Sequence, residues 1–157
     1  MKIKIYTHKK DTNSNIKELE NYYLKQLKGS SNIELINLHS NKLKSLPDKE
    51  LVRKEADILL DKIDKDDFLV ALDENAKELS SIKFSNFINE KKNSSISISF
   101  AIGGVNGFHQ SVKDRASLLI SLSKMTFTAE MTRLILIEQI YRSHKIISGS
   151  SYHKAGF

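Results

Sequence analysis

Phe100-Ala-Ile-Gly-Gly-Val-Asn-Gly-Phe108 is the stretch from which the rest of the chain can be read. An apolar run that stops at paired glycines and leaves through a polar turn toward a helix places a crevice at the carboxyl end of a strand. Glycine lets a backbone approach a ligand closely, and it also serves in ordinary turns, so Gly103 and Gly104 carry both readings here. A dinucleotide-binding motif is disfavoured, because Gly103, Gly104 and Gly107 lack Gly-x-Gly-x-x-Gly spacing and lie late in the chain.

Working outward, the strand 95–102 is one of five. Lys2 to Tyr6 alternates polar and apolar residues and predicts a half-buried strand. Residues 32–38, the run Asp67-Phe-Leu-Val-Ala-Leu72, and 118–122 predict three more. Helices are predicted between them: 12–28, with Ile16, Leu19, Tyr22 or Tyr23, and Leu27 at helical spacing; 48–63, starting just after the single proline, Pro47; 80 or 81 to 89; 111–116; and 129–147, capped by Thr128 and ended by Gly149. The segment 39–45 reads as a loop. Five β-α repeats predict an α/β fold, with a mostly parallel sheet covered by helices on both faces. No internal repeat or long linker divides residues 1–157, so one domain is expected.

Composition narrows the function classes. The chain has 157 residues, 28% of them charged, and a net charge of +6. No cysteine is present, which excludes disulfides, thiolate metal sites and a cysteine nucleophile. No run approaches the roughly 20 apolar residues of a membrane span. The first ten residues are too charged for a secretory signal, so a cytoplasmic protein without membrane or metal is expected. The basic excess suits an anionic partner. It is mostly lysine, 21 of 25 basic residues, which biased genomic usage also produces. Residues 112–157 hold seven Lys and Arg against three Asp and Glu, so charge concentrates where the motifs lie.

Several blocks can carry chemistry. Leu72-Asp-Glu-Asn75 ends the third strand and offers either ribose hydroxyl contacts or solvated charges. Leu122-Ser123-Lys124-Met125-Thr126-Phe127 offers backbone polar groups beside an apolar wall, which suits an adenine edge or a plain strand-to-helix connection. The last helix is apolar on more than one face, which suits a subunit interface or a central core helix. Glu138 and Arg142 are spaced to pair, or Arg142 can hold phosphate. Tyr152-His153-Lys154 is either a frayed tail or a strap over the crevice that brings a titratable imidazole.

Ile-Gly-Gly-x-x-Gly, Ser-Leu-Ser-Lys-Met-Thr-Phe, Arg-x-x-Leu-x-Glu-Gln-x-Tyr-Arg and Tyr-His-Lys occur here in an order and spacing that resemble the RlmH-type proteins of the SPOUT superfamily. These are the pseudouridine N3-methyltransferases of bacterial 23S rRNA. The resemblance spans essentially the full length, strongest from Leu69 onward. It implies a homodimer with a C-terminal trefoil knot, S-adenosylmethionine as cofactor, and methylation of a pseudouridine on the assembled ribosome. It implies cofactor contacts at Leu72, Gly103, Gly104 and Leu122 through Phe127, and substrate contacts at Arg142, Tyr152 and Lys154. After Met-Thr-Phe the family usually has Pro-His, whereas this chain has Thr128-Ala129. Catalytic weight therefore falls on His153, with Arg142 as anion stabiliser. The alternatives are a ribosome- or RNA-binding member that has lost catalysis, and a methyltransferase of this fold acting on another RNA. Phe157, in the ending Ala155-Gly-Phe157, is expected near the pocket if the tail is ordered.

Overall fold

Five apolar runs meet in one parallel sheet. The computed structural model describes residues 1–154; the expectation for Phe157 lies outside them. The strands are β1 (Lys2–Thr7), β2 (Asn32–Asn37), β3 (Phe68–Glu78), β4 (Ile98–Ile102) and β5 (Leu118–Ser121). Their spatial order is β2-β1-β4-β3-β5, and every neighbouring pair is parallel. The helices are α1 (Ser14–Leu27), α2 (Asp48–Lys62), α3 (Ser81–Asn93), α4 (Gln110–Arg115) and α5 (Ala129–Ile147). Residues Asn41–Leu43 of the expected loop form one 3-10 turn.

Strand residues alternate between two cores. On one face Ile98, Phe100 and Ile102 of β4 pack with Ile88 of α3 and with Leu136, Ile137 and Ile140 of α5. On the other, Ala101 packs with Ala56 and Leu59 of α2 and Val112 of α4. Burial on both faces is why β4 reads as a continuous apolar run.

The sequence pattern misleads at three places. β1 is not half-buried: only Lys2 is exposed. Lys4 faces the α2/α4 side, where its ammonium donates to Asp64 and, at 2.9 Å, to Asp67; Ser99 donates to the same Asp67 oxygen at 2.6 Å. Burial alone would lower the Lys4 pKa, but the two carboxylates outweigh it and hold the amine charged. In α1, Leu19 and Tyr22 lie exposed, and the inward face takes Glu20 with Leu27. β3 runs six residues past the predicted end. Its register against β5 jumps from Leu72 to Lys77, so residues 73–76 bulge out of the sheet.

Helix ends follow their caps. The Asn13 side chain accepts from Asn15 and Ile16 amides, and Thr128 accepts from Met131 at 3.3 Å. Glu130, in the first turn of α5, accepts from the amides of Thr12 at 2.6 Å and Asn13 at 3.1 Å. One turn on, buried Arg133 grips Glu20 with two nitrogens at 2.7 and 3.0 Å and Asp11 at 2.9 Å. These bonds lock α1 to α5. Removing one partner strands a buried charge, so Arg133→Ala is expected to cost about 3–5 kcal/mol in urea unfolding. Lys2→Ala, at the exposed pair with Glu34, is expected to cost under about 1 kcal/mol.

Candidate functional site

Parallel register puts four strand ends at one edge. Tyr6 lies opposite Ala101, Leu72 opposite Ile102, and Leu72 opposite Ile120. The residues that follow, His8, Gly103, Asp73 and Leu122, line one cavity of about 820 Å³. That lies within the range of small-molecule sites. The three turns that the sequence singled out do converge: Leu72, Gly103, Gly104, Leu122, Ser123, Met125, Thr126 and Phe127 all line this space.

Lys124 is the exception within that block. Its ammonium reaches back to the Ala76 carbonyl at 3.0 Å, away from the cavity. Thr126 donates to the Glu74 carboxylate at 2.6 Å. The loop 122–127 is thus stitched to the bulge 73–76, and two irregular segments form one wall. Ser121 donates to the Ser123 carbonyl at 2.7 Å, and Ser123 Oγ accepts from the Met125 amide at 3.0 Å, fixing the turn from inside. Met125 and Phe127 keep exposed apolar surface at the rim.

The glycines permit close approach, to the Gly107 backbone at Gly103 and to the movable end of the Glu55 side chain at Gly104. A Cβ on Gly104 would stand 2.5 Å from a carboxylate oxygen of Glu55, and one on Gly103 would stand 3.3 Å from the Gly107 backbone. Gly107 itself adopts φ +73° and closes the turn.

Charge is arranged around the rest of the wall. Lys113 of α4 pairs with Asp73 at 2.6 Å, and that bond holds the Asp73 carboxyl below its usual range. Burial raises the Glu55 carboxyl, with no cation to offset it. His8 is 8% exposed, and burial pushes its imidazole down to about 4, so it is neutral at pH 7. The Glu55 carbonyl faces this ring but closes no hydrogen bond of normal geometry with it. Sequence reading missed His8, Glu55 and Lys113. No local motif marks them; only their topological neighbours do.

The tail residues lie elsewhere in one copy of the chain. Thr132 lines the cavity, and Arg142 is ten residues further along α5, about 15 Å away at 1.5 Å per residue. Arg142 bonds Glu138 at 2.7 Å and approaches His153 Nδ1 at 3.4 Å. Its guanidinium stacks 4.8 Å from the Tyr152 ring, which meets Tyr141 edge-on. Burial and the Glu138 carboxylate raise the Tyr152 phenol to about 12, and its O–H donates to that carboxylate at 3.1 Å. The tail is therefore packed rather than frayed through His153, while Lys154 is exposed. His109 caps α4, and His144 bonds Ser31 at 2.9 Å, so both rings have partners. Among the described residues no group of acidic or histidine side chains could hold a metal, and no helix is long and apolar enough to cross a membrane.

A parallel α/β sheet with a glycine-lined crevice at its carboxyl edge places the chain among the α/β proteins whose strand ends open onto a cavity. The chain belongs to the SPOUT methyltransferase family, whose sequence model, described as "Predicted SPOUT methyltransferase", matches residues 1–153. It is 38% identical to a Flavobacterium psychrophilum protein named Ribosomal RNA large subunit methyltransferase H, over 98% of this chain and 99% of that one. A Malacoplasma penetrans protein of the same name is 35% identical over 98% and 100%. One from Caldicellulosiruptor bescii is 46% identical over 66% and 68%. The resemblance read from the C-terminal motifs is thereby borne out.

The neutral His8 has a stability consequence. Its folded pKa lies below the ordinary 6.5, so between 6.5 and about 4 the unfolded chain binds more protons. Stability is therefore lost as pH falls through that window. Glu55, raised by burial, acts in the opposite sense. The His8 share is the difference between native protein and His8→Phe, whose unfolding free energy is expected to fall less from pH 6.5 to pH 4.

Proposed function

We propose that this chain is an S-adenosylmethionine-dependent methyltransferase acting on N3 of a pseudouridine in 23S rRNA of the assembled ribosome, in the cytoplasm. The observation that carries the reading is the convergence of Leu72, Gly103–Gly104 and Leu122–Phe127 on one cavity in a chain of this family. The names of the relatives support the rRNA substrate. The net charge of +6 suits it too.

The residues present fit the cofactor. Leu122, Met125 and Phe127 give an apolar wall for adenine, with backbone groups of the same loop for its polar edge. The Gly103–Gly104 backbone lies where a ribose could pass without meeting a Cβ. When bound, the cofactor supplies an already activated methyl group. The chain has to align N3 with it, take the imide proton and stabilise the resulting anion. His153 accepts the proton in this reading, and the Arg142 guanidinium, always charged, faces the anion. Glu138 holds both Arg142 and Tyr152 in place. Ala129 stands where the family usually has histidine and can do none of this.

Because the tail and the cavity are far apart in one copy, the site is completed by a second copy. We assign the functional state to a homodimer, each tail serving the other's cavity. The exposed Leu19, Tyr22 and Met131 on α1 and α5 leave apolar surface for such contact. The knot that the family implies belongs to the same reading, as does residues 1–157 forming a single domain.

Ribosomes from a strain lacking the modification are expected to accept one methyl group from labelled cofactor, mapped by mass spectrometry to N3 of a pseudouridine. Cofactor binding without transfer would instead favour a binding protein that has lost catalysis, and transfer to a different nucleotide would favour another RNA substrate. For the shared site, His153→Ala and Gly104→Leu are each expected to lower turnover about a hundredfold. Mixing the two after unfolding and refolding is expected to restore about a quarter of native activity, the share of intact sites in random dimers. No recovery would place the tail and the cavity of each site in the same chain.

A further inference from the structure

Among the described residues, three buried side-chain polar atoms have no hydrogen-bond partner: Thr7 Oγ1, His8 Nδ1 and His8 Nε2. All sit where β1 ends. Buried histidines and hydroxyls that serve only structure are normally bonded. Here the orphaned ring lines the cavity, alongside Lys9 and Glu55. Neither Lys9 nor Glu55 forms a salt bridge among the described residues. One wall of the cavity thus presents a free ammonium, a free carboxyl, and an imidazole with one donor and one acceptor unused.

The cavity has direction. The loop 122–127 follows β5, and His8 follows β1. Between β5 and β1 lie β3 and β4, so the two ends are three strand spacings apart, about 14 Å. On the cofactor reading, a base against the β5 loop would leave the ribose at Gly103–Gly104 and the 5′ substituent toward β1.

We propose that His8, Lys9 and Glu55 form a subsite for a zwitterionic α-amino acid group, the end of the methyl donor opposite the base; this rests on the cofactor reading above. Lys9 Nζ meets the α-carboxylate, with the His8 N–H as a second donor. The Glu55 carboxylate accepts from the α-ammonium, with the unprotonated His8 nitrogen beside it. The ammonium supplies the cation that Glu55 lacks, and His8 gains the partners it lacks. Gly104 belongs to this subsite as well, since any side chain there would displace the Glu55 carboxylate.

The test compares two ligands by titration calorimetry: S-adenosylhomocysteine, which has the amino acid end, and 5′-methylthioadenosine, which lacks it. Native protein is expected to bind the first at least about tenfold more tightly. Glu55→Gln and His8→Phe are expected to shrink that ratio to within about threefold by weakening S-adenosylhomocysteine alone. A ratio unchanged in either folded variant overturns the proposal while leaving the cofactor reading intact. Binding of neither ligand to native protein overturns both. Native protein gives a check that needs no variant: the His8 ring nitrogen resonances are expected to move with S-adenosylhomocysteine and not with 5′-methylthioadenosine. Equal movement with both overturns the subsite.

Discussion

Parallel pairing is the constraint on which the rest of the molecule depends. In a parallel sheet all carboxyl ends emerge at one edge. Residues far apart in sequence, around 8, 73, 103 and 122, are therefore delivered to one place without any pairwise attraction between them. The order β1-β4-β3-β5 then fixes which turn neighbours which. The glycine turn after β4 sits in the middle, the hydroxyl-bearing loop after β5 at one side, and His8 at the other.

Parallel pairing also demands burial on both faces, and the polar residues of the sheet are handled accordingly. Lys4 enters the α2/α4 core because Asp64, Asp67 and Ser99 meet it there. Arg133 enters the other side because Glu20 and Asp11 do the same. Each charge is matched inside the sheet and helix layers. Lys113 and Asp73 keep the matching on one side of the cavity, and at its β1 side the matching stops. His8 and Glu55 keep unused capacity, and the contrast marks that wall as built for something the chain itself does not supply.

The cavity wall is irregular yet held. A bulge in β3 and a turn after β5 would each be loose alone. Lys124 and Thr126 tie the turn to Ala76 and Glu74, so the wall gains shape from bonds between two non-repetitive segments. At the opposite end of α5, Glu138 organises Arg142 and Tyr152, with His153 alongside, into a second cluster. The length of α5 separates this cluster from the cavity.

The sequence by itself determined what local chemistry can encode. Helix α5 was legible to the residue, from its Thr128 cap to Gly149 at φ +69°, because caps and apolar spacing are near neighbours in the chain. The five strands and the convergent motif residues were legible for the same reason, through runs and turns. The inward face of α1, the depth of Lys4 and the bulge in β3 were not. Each depends on a partner 40 or more residues away that periodicity does not name. Strand order was equally silent, and with it the position of His8, Glu55 and Lys113. Only the tertiary structure decided those, because which strand lies beside which is settled by packing over the whole sheet rather than by any segment of it.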